Sequence, residues 1–488
     1  MTRVVLPRLV APVAIVLLLV VAGCTSQHRG NETLTSPASP PSPPSPPSPS
    51  RPSPTPTPSP TASAPATPTG SEAQDWPTYH RTLDRVGASA DLAAVHRLSA
   101  AWTADLDGAV YGQPIVVGSL VVAATEGDSV YGLDRTTGAV RWKSQLGTPV
   151  RLRDLPCGNV DPLGITGTPA YDASTGSVFV VTETTGGQHT LVALDVVTGQ
   201  ERWRRSLDVT ERDHKAEQQR GALAVANGRV YVPFGGLYGD CGDYVGYVTA
   251  TPVDGGGATT SYLVPTSREG GIWAPSGVAV DAGGDVWVAV GNGASTGGTY
   301  DGSDSVLRLA PDLSRRLDYF TPTSWGSQNA RDRDLGSTGP VLLDGDRVII
   351  AGKDAVVYLL AAQHLGGIGG QLATLTGCAG YGGIAWDVSA QAAFVPCKDG
   401  LLRTSVGSTT LRRDWKARAN IAGSPVVGHG VVWSVDASGG RLYALDEDTG
   451  AVIAEADVGT TSRFASPVLT GGIVLVPTLS GVSAVTVT

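Results

Sequence analysis

Four short segments, met in order along the chain, carry side chains that could do chemistry together: GIWAPSG at 271–277, VAVGNG at 288–293, NARDRDLGSTGP at 329–340 and AGKDAVVYLL at 351–360. They supply an indole (Trp273), an amide (Asn292), two carboxylates (Asp332 and Asp334) and an amine (Lys353), and GDCGDYVGYVTA at 239–250 adds Asp240 and Asp243. Amide and carboxylate oxygens are the ligands that hard cations such as Ca²⁺ take. Each residue also has a plainer use. Trp273 would serve as packing between repeats, Asn292 as a turn former between glycines, Asp332 and Asp334 as a solvated cluster with Arg331 and Arg333, and Lys353 as an exposed loop charge. Other chemistries are unsupported. The histidines show neither HxH nor HExxH spacing for zinc, no CxxCH is present for haem, and GxSxG is absent from any strand-to-helix context.

The elements that must position these residues are read from internal repeats. LDRTTGAVRW at 133–142, LDVVTGQERW at 194–203 and LDEDTGAVIA at 445–454 each fit a hairpin: a strand ending in Asp, a Thr-Gly turn, then a strand presenting Trp142, Trp203 or Ala454. The Trp would cover the neighbouring repeat. A small or Pro residue leads an apolar strand at Pro114, Pro169, Ala222, Pro275, Pro340, Gly383, Pro425 and Pro467. Such spacings suit four-stranded propeller blades, so an all-β, eight-bladed β-propeller is predicted over 76–488. The last anchor leaves three strands, and Leu98–Leu106 is expected to supply the fourth and close the ring. The long connections 148–165, 235–243, 291–303 and 321–336 then share one face, while the Gly-rich 361–371 should lie opposite and is assigned no ligand.

LDxxTGxxxW hairpins in eight blades resemble the pyrroloquinoline quinone (PQQ) repeat propellers, and DWPTYHRTLDRVG at 75–87 resembles the lead-in of exported bacterial members. That superfamily holds both quinoprotein alcohol dehydrogenases and cofactor-free binding scaffolds of outer-membrane assembly, and fold does not choose between them. The resemblance implies a Trp273 that stacks under the quinone, a Ca²⁺-binding Asn292, Asp332 or Asp334 as base, and Lys353 on the quinone. At the position of the calcium-binding Glu it aligns Cys241, leaving Asp240 and Asp243 as the nearby carboxylates. The adjacent Cys pair of many alcohol-oxidising members is also missing. A ligand- or partner-binding module without cofactor is therefore expected, with a PQQ- and calcium-dependent dehydrogenase of alcohols or sugars as the alternative.

Composition narrows the setting. The chain has 488 residues and a net charge of -9, the wrong sign for binding a phosphate backbone, so nucleic acid is excluded as a main partner. Arg3 and Arg8 precede an apolar run from Leu9 to Gly23, too short to span a bilayer, which reads as a signal peptide over 1–23. It ends in VAGC, which resembles the bacterial lipobox and implies a lipidated Cys24 on the outer face of the cytoplasmic membrane. Residues 24–75 are Pro-, Ser- and Thr-rich, favour polyproline II and form a spacer rather than a core. Four further Cys, an even number in an oxidising compartment, suggest two disulfides. Cys378 and Cys397 are neighbours on antiparallel strands, and Cys157 with Cys241 pair by elimination. Replacing Cys24 by Ser is expected to release the protein from the membrane fraction; a variant that stays there with its signal removed would refute the anchor.

Overall fold

The repeated Asp-Thr-Gly turn works by hydrogen bonding. In the computed structural model, which describes residues 74–89, 94–208, 211–344 and 346–488, Asp134 Oδ1 accepts from the Thr136 and Thr137 amides and the Thr137 hydroxyl. Asp195 does the same with Val197 and Thr198. Gly138 and Gly199 follow at φ 72° and 70°, where other residues are strained. These glycines also make room: a Cβ at Gly199 would lie 2.4 Å from the Trp142 ring of the preceding blade, and one at Gly138 equally close to Trp102. Trp142 Nε1 donates to Val196 O and Trp102 Nε1 to Arg135 O. Each Trp thus seals one blade onto the turn of the next, as the repeats predict. Cys24, the signal run and the Pro-rich spacer lie outside the described residues.

Eight antiparallel sheets result. Their innermost strands are short and buried: Ile115–Val117, Ala170–Asp172, Ala224–Ala226, Ala279–Val280, Val341–Leu343, Ala385–Asp387, Val426–Gly428 and Val468–Thr470. The outermost strand of blade eight is Leu98–Asp105, which pairs with Gly481–Val487 and closes the ring. Apolar clusters fill the interfaces between successive blades, with Val, Leu and Ala on both faces of each sheet. The 361–371 stretch differs from expectation. Its Gly367–Ile368 pairs in parallel with Phe320–Thr321, so it covers the outer edge of blade four rather than capping the opposite face.

Short inner strands leave polar backbone edges toward the channel, and the segment 74–89 satisfies them. Trp76 exchanges backbone hydrogen bonds with Val116 of blade one, and Pro77 O accepts from Tyr171 of blade two. Leu83, Asp84, Val86 and Gly87 carbonyls accept from Val280, Leu342, Trp386 and Val427 of blades four to seven. Thr78 Oγ1 donates to Leu223 O beside blade three, and Thr470 Oγ1 of blade eight donates to Gln74 O. Arg85 is the centre of this plug. It is fully buried at φ 67°, and its guanidinium donates to Val278 O, Leu223 O, Tyr79 O and Thr78 Oγ1. Beside the plug, where the turns between first and second strands gather, lies a basin of about 1090 Å³. Its carboxylates are already committed: Asp281 accepts from Gly283, Asp285 and Trp287, and Asp387 from Ser389 and Ala390. Among the described residues no helix is long and apolar enough to cross a membrane. Arg85→Ala is expected to cost about 3 kcal/mol, because it strands several buried carbonyls without donors. A urea midpoint unchanged from that of the parent protein would contradict this role for the plug.

Candidate functional site

On the face opposite the basin, connections between blades three, four and five converge. Trp273 lies on the segment entering blade four, Asn292 follows the strand Val286–Val290, Asp334 lies on the segment entering blade five, and Lys353 follows the strand Arg347–Ala351. Glycines permit the approach: a Cβ at Gly235 would sit 2.8 Å from Trp273 Cβ, and one at Gly352 2.9 Å from Leu335 Cα. Asp334, only 2% exposed, is the hub. Its Oδ1 accepts from the Asn292 amide at 2.9 Å, and its Oδ2 from Trp273 Nε1 at 3.1 Å. Lys353 Nζ is 2.7 Å from the same Oδ2 and 5.4 Å from the centre of the Trp273 ring. Burial alone would pull the Lys353 pKa down, but Asp334 and Asp332 outweigh it and hold the amine protonated well above its usual range.

The structure separates residues that the sequence groups. Of the two candidate bases, Asp334 is buried in the site, whereas Asp332 is exposed and reaches only Lys353 Nζ, at 2.7 Å. Asp240 lies near the cluster, its Oδ1 accepting from Tyr244 at 2.6 Å; burial and then the charges of Asp334 and Asp332 raise its pKa. Asp243 is not brought in. It is exposed and paired with Arg212 at 2.5 Å, because the turn at Gly242 sends it outward. Glu269 is a site residue that the sequence does not single out. It accepts from Asn292 Nδ2 at 3.3 Å, pairs with Arg268 at 3.0 Å, and burial raises its pKa. Its one signal is its place four residues before Trp273, just outside the segment GIWAPSG. Cys157–Cys241 and Cys378–Cys397 are both disulfides.

The oxygen set suits a hard cation in type: the Asn292 amide and the Glu269, Asp240 and Asp334 carboxylates. Among the described residues no three His, Cys, Asp or Glu side chains close on one point. A cation here would therefore also draw on Asn292 Oδ1 and on oxygens of a bound ligand. The indole face of Trp273 and the Lys353 amine beside it suit a flat, electron-poor, anionic partner.

Repeat hairpins, eight sheets built on four antiparallel strands and a closing strand make this an eight-bladed β-propeller, and part of it is similar to the PQQ-repeat propellers. A family profile described as outer membrane protein assembly factor BamB matches residues 97–235. The polyvinylalcohol dehydrogenase of Sphingopyxis sp. (strain 113P3) is 27% identical over 143 residues, 29% of this chain and 19% of that enzyme. The aligned part of the chain thus spans about a fifth of the curated relative it matches. Among solved structures, quinohemoprotein alcohol dehydrogenase from Comamonas testosteroni superposes with a TM-score of 0.69 at 16% identity, over 86% of this chain and 81% of that one. A europium-containing methanol dehydrogenase gives 0.68 at 15% identity, over 85% and 98%. BamB from Moraxella catarrhalis gives 0.54 at 15%, over 80% and 97%. At these identities the likeness is one of fold. The expectation of no cofactor is corrected by these findings. It rested on Cys241 in place of a carboxylate, yet the similar proteins include a quinohemoprotein and a europium-containing enzyme, and Glu269 brings a carboxylate to Asn292 from another segment.

The same face holds a second group of acids under the 148–165 connection. Glu126 accepts from Gly164 N at 2.7 Å and Thr166 Oγ1 at 2.9 Å; burial nevertheless pushes it up to about 7. Burial, then the charges of Glu126 and Glu183, push Asp128 up to about 8. Both hold protons more tightly folded than at their ordinary values of 4.5 and 3.8. Their stabilising contribution is therefore complete below about pH 4 and lost as the pH rises through 7 and 8. Asp128→Asn, which cannot ionise, is expected to raise the melting temperature near pH 9 and to change it little near pH 4. Equal shifts at both pH values would show that Asp128 does not ionise in the folded chain.

Proposed function

We propose that the chain is a PQQ- and calcium-dependent dehydrogenase of alcohols or sugars, held outside the cytoplasmic membrane by a lipid on Cys24. The observation that carries this reading is the meeting of Trp273, Asn292, Asp334 and Lys353, drawn from four separate segments, around one buried carboxylate. Trp273 offers a flat floor, and Asn292 with Glu269 offers oxygens for the cation. Lys353 balances the charge of Asp334 and lies beside the indole. Held by Trp273, Lys353, Asn292 and Glu269, a quinone with its cation would supply a two-electron oxidant for a carbinol carbon. Asp334 Oδ1 or Oδ2 takes the hydroxyl proton, with three donors fixing the carboxylate's orientation. Cys157–Cys241 ties the 148–165 connection to the 235–243 connection that carries Asp240.

Titrating the purified chain with PQQ and Ca²⁺ while following quinone absorbance and dye reduction by alcohols and sugars tests this. Saturable binding with turnover is expected. Asp334→Asn is expected to lower turnover by about 100-fold or more while the quinone still binds. Failure of the parent protein to bind the quinone would leave a binding scaffold as the better reading.

A further inference from the structure

The 235–243 connection contains a tight turn that offers an aromatic ring to solvent. Asp240 N donates to Leu237 O at 3.1 Å, and Gly239 holds the third place of the turn at φ 106°, a value that side chains resist. Tyr238 fills the second place and, at 67% exposure, is the most exposed large apolar side chain among the described residues. A single apolar residue on a surface is ordinary, but this one sits on a turn whose neighbours are all fastened. Leu237 packs with Val150, Leu155 and Leu163 of the 148–165 connection, and its amide donates to Ala216 O at 3.0 Å. Cys241 is tied to Cys157. Arg268 donates to the carbonyls of Asp240 and Gly242 and also pairs with Glu269 at 3.0 Å, so one side chain couples this turn to the oxygens around Asn292. Asp243, with its exposed carboxylate paired to Arg212, follows the turn directly.

We propose that Tyr238 is a saccharide-stacking residue at the edge of the candidate site, so that the substrate class is a sugar ring rather than a simple alcohol. One face of a pyranose is a patch of C–H bonds, and a tyrosine ring gives it a flat apolar area with few torsions to fix. The sugar's hydroxyls, set in neighbouring pairs, suit planar groups such as the Asp243 carboxylate and the Arg212 guanidinium, which accept and donate side by side. A ring held in place beforehand loses little freedom on binding, and the brace through Leu237, Cys241 and Arg268 does that holding. A small alcohol has no such face and gains nothing from Tyr238. Oxidation of the sugar beside Asp334 rests on the reading above, whereas the stacking does not need the quinone.

Ligand-observed NMR on the whole chain, with cellobiose and maltose as saccharide probes and 1-propanol as the simple alcohol, tests this first without and then with PQQ and Ca²⁺. Saturable binding of a disaccharide is expected in both conditions. Tyr238→Ala is expected to weaken it about tenfold, with the melting temperature little changed because an exposed ring buries little. Tyr238→Phe, which keeps the ring and loses the hydroxyl, is expected to retain the affinity. Cys157→Ser with Cys241→Ser is expected to weaken saccharide binding about threefold by loosening the turn, and an unchanged affinity would overturn the role of the brace. In the loaded protein, Tyr238→Ala is expected to raise the saccharide KM about tenfold and to lower the preference for saccharide over 1-propanol by the same factor. Saccharide binding that depends on Tyr238, with no quinone binding at all, would keep the stacking residue and refute the dehydrogenase. Quinone binding with turnover that is indifferent to Tyr238→Ala would overturn the stacking residue and keep the dehydrogenase. Absence of saccharide binding by the parent protein in both conditions would overturn it as well.

Discussion

Eight sheets set around an axis turn eight short inner strands toward a channel, and their unpaired backbone groups must find partners. The segment 74–89 answers that constraint, blade by blade, with Arg85 donating to carbonyls that no strand reaches. A carbonyl left without a donor in such an interior is costly, so the plug and the ring specify each other. Because the plug occupies one end of the channel, the connections that carry chemistry are free to converge at the other.

That convergence has its own electrostatic logic. A nearly buried carboxylate such as Asp334 is tolerated only with close donors, and it has an amide, an indole N–H and an ammonium. The neighbouring acids Glu269 and Asp240 are pushed toward protonation by burial and by the charges of Asp334 and Asp332. Both effects describe a place where added positive charge would be welcome.

Much of this was legible in the sequence, for physical reasons. The Asp-Thr-Gly hairpins are local hydrogen-bonding units that reveal the blade type, while the small or Pro residues leading eight apolar strands give the blade number and leave Leu98–Leu106 as the closing strand. The order of Trp273, Asn292, Asp334 and Lys353 marks the strand ends that meet. The plug was not legible as a plug, since most of its bonds run from backbone to backbone and leave no side-chain period. Glu269 escaped because its approach to Asn292 depends on a close crossing of Gly246 and Gly270, where a Cβ at Gly246 would lie 1.9 Å from a carbonyl oxygen. The choice between Asp332 and Asp334 needed burial, and the outward turn of Asp243 needed the loop itself. The 361–371 stretch pairs with a strand well before it in the chain, a non-local contact that composition does not encode.

The plug has a mechanical consequence. A pull applied at Gln74 would not peel one blade from the ring. The load would pass through Trp76, Thr78, Leu83, Asp84, Val86 and Gly87 to inner strands around the whole circumference, with the bonds sharing it. A domain towed from that point through a long leader is gripped at its hub, as a wheel is by its axle.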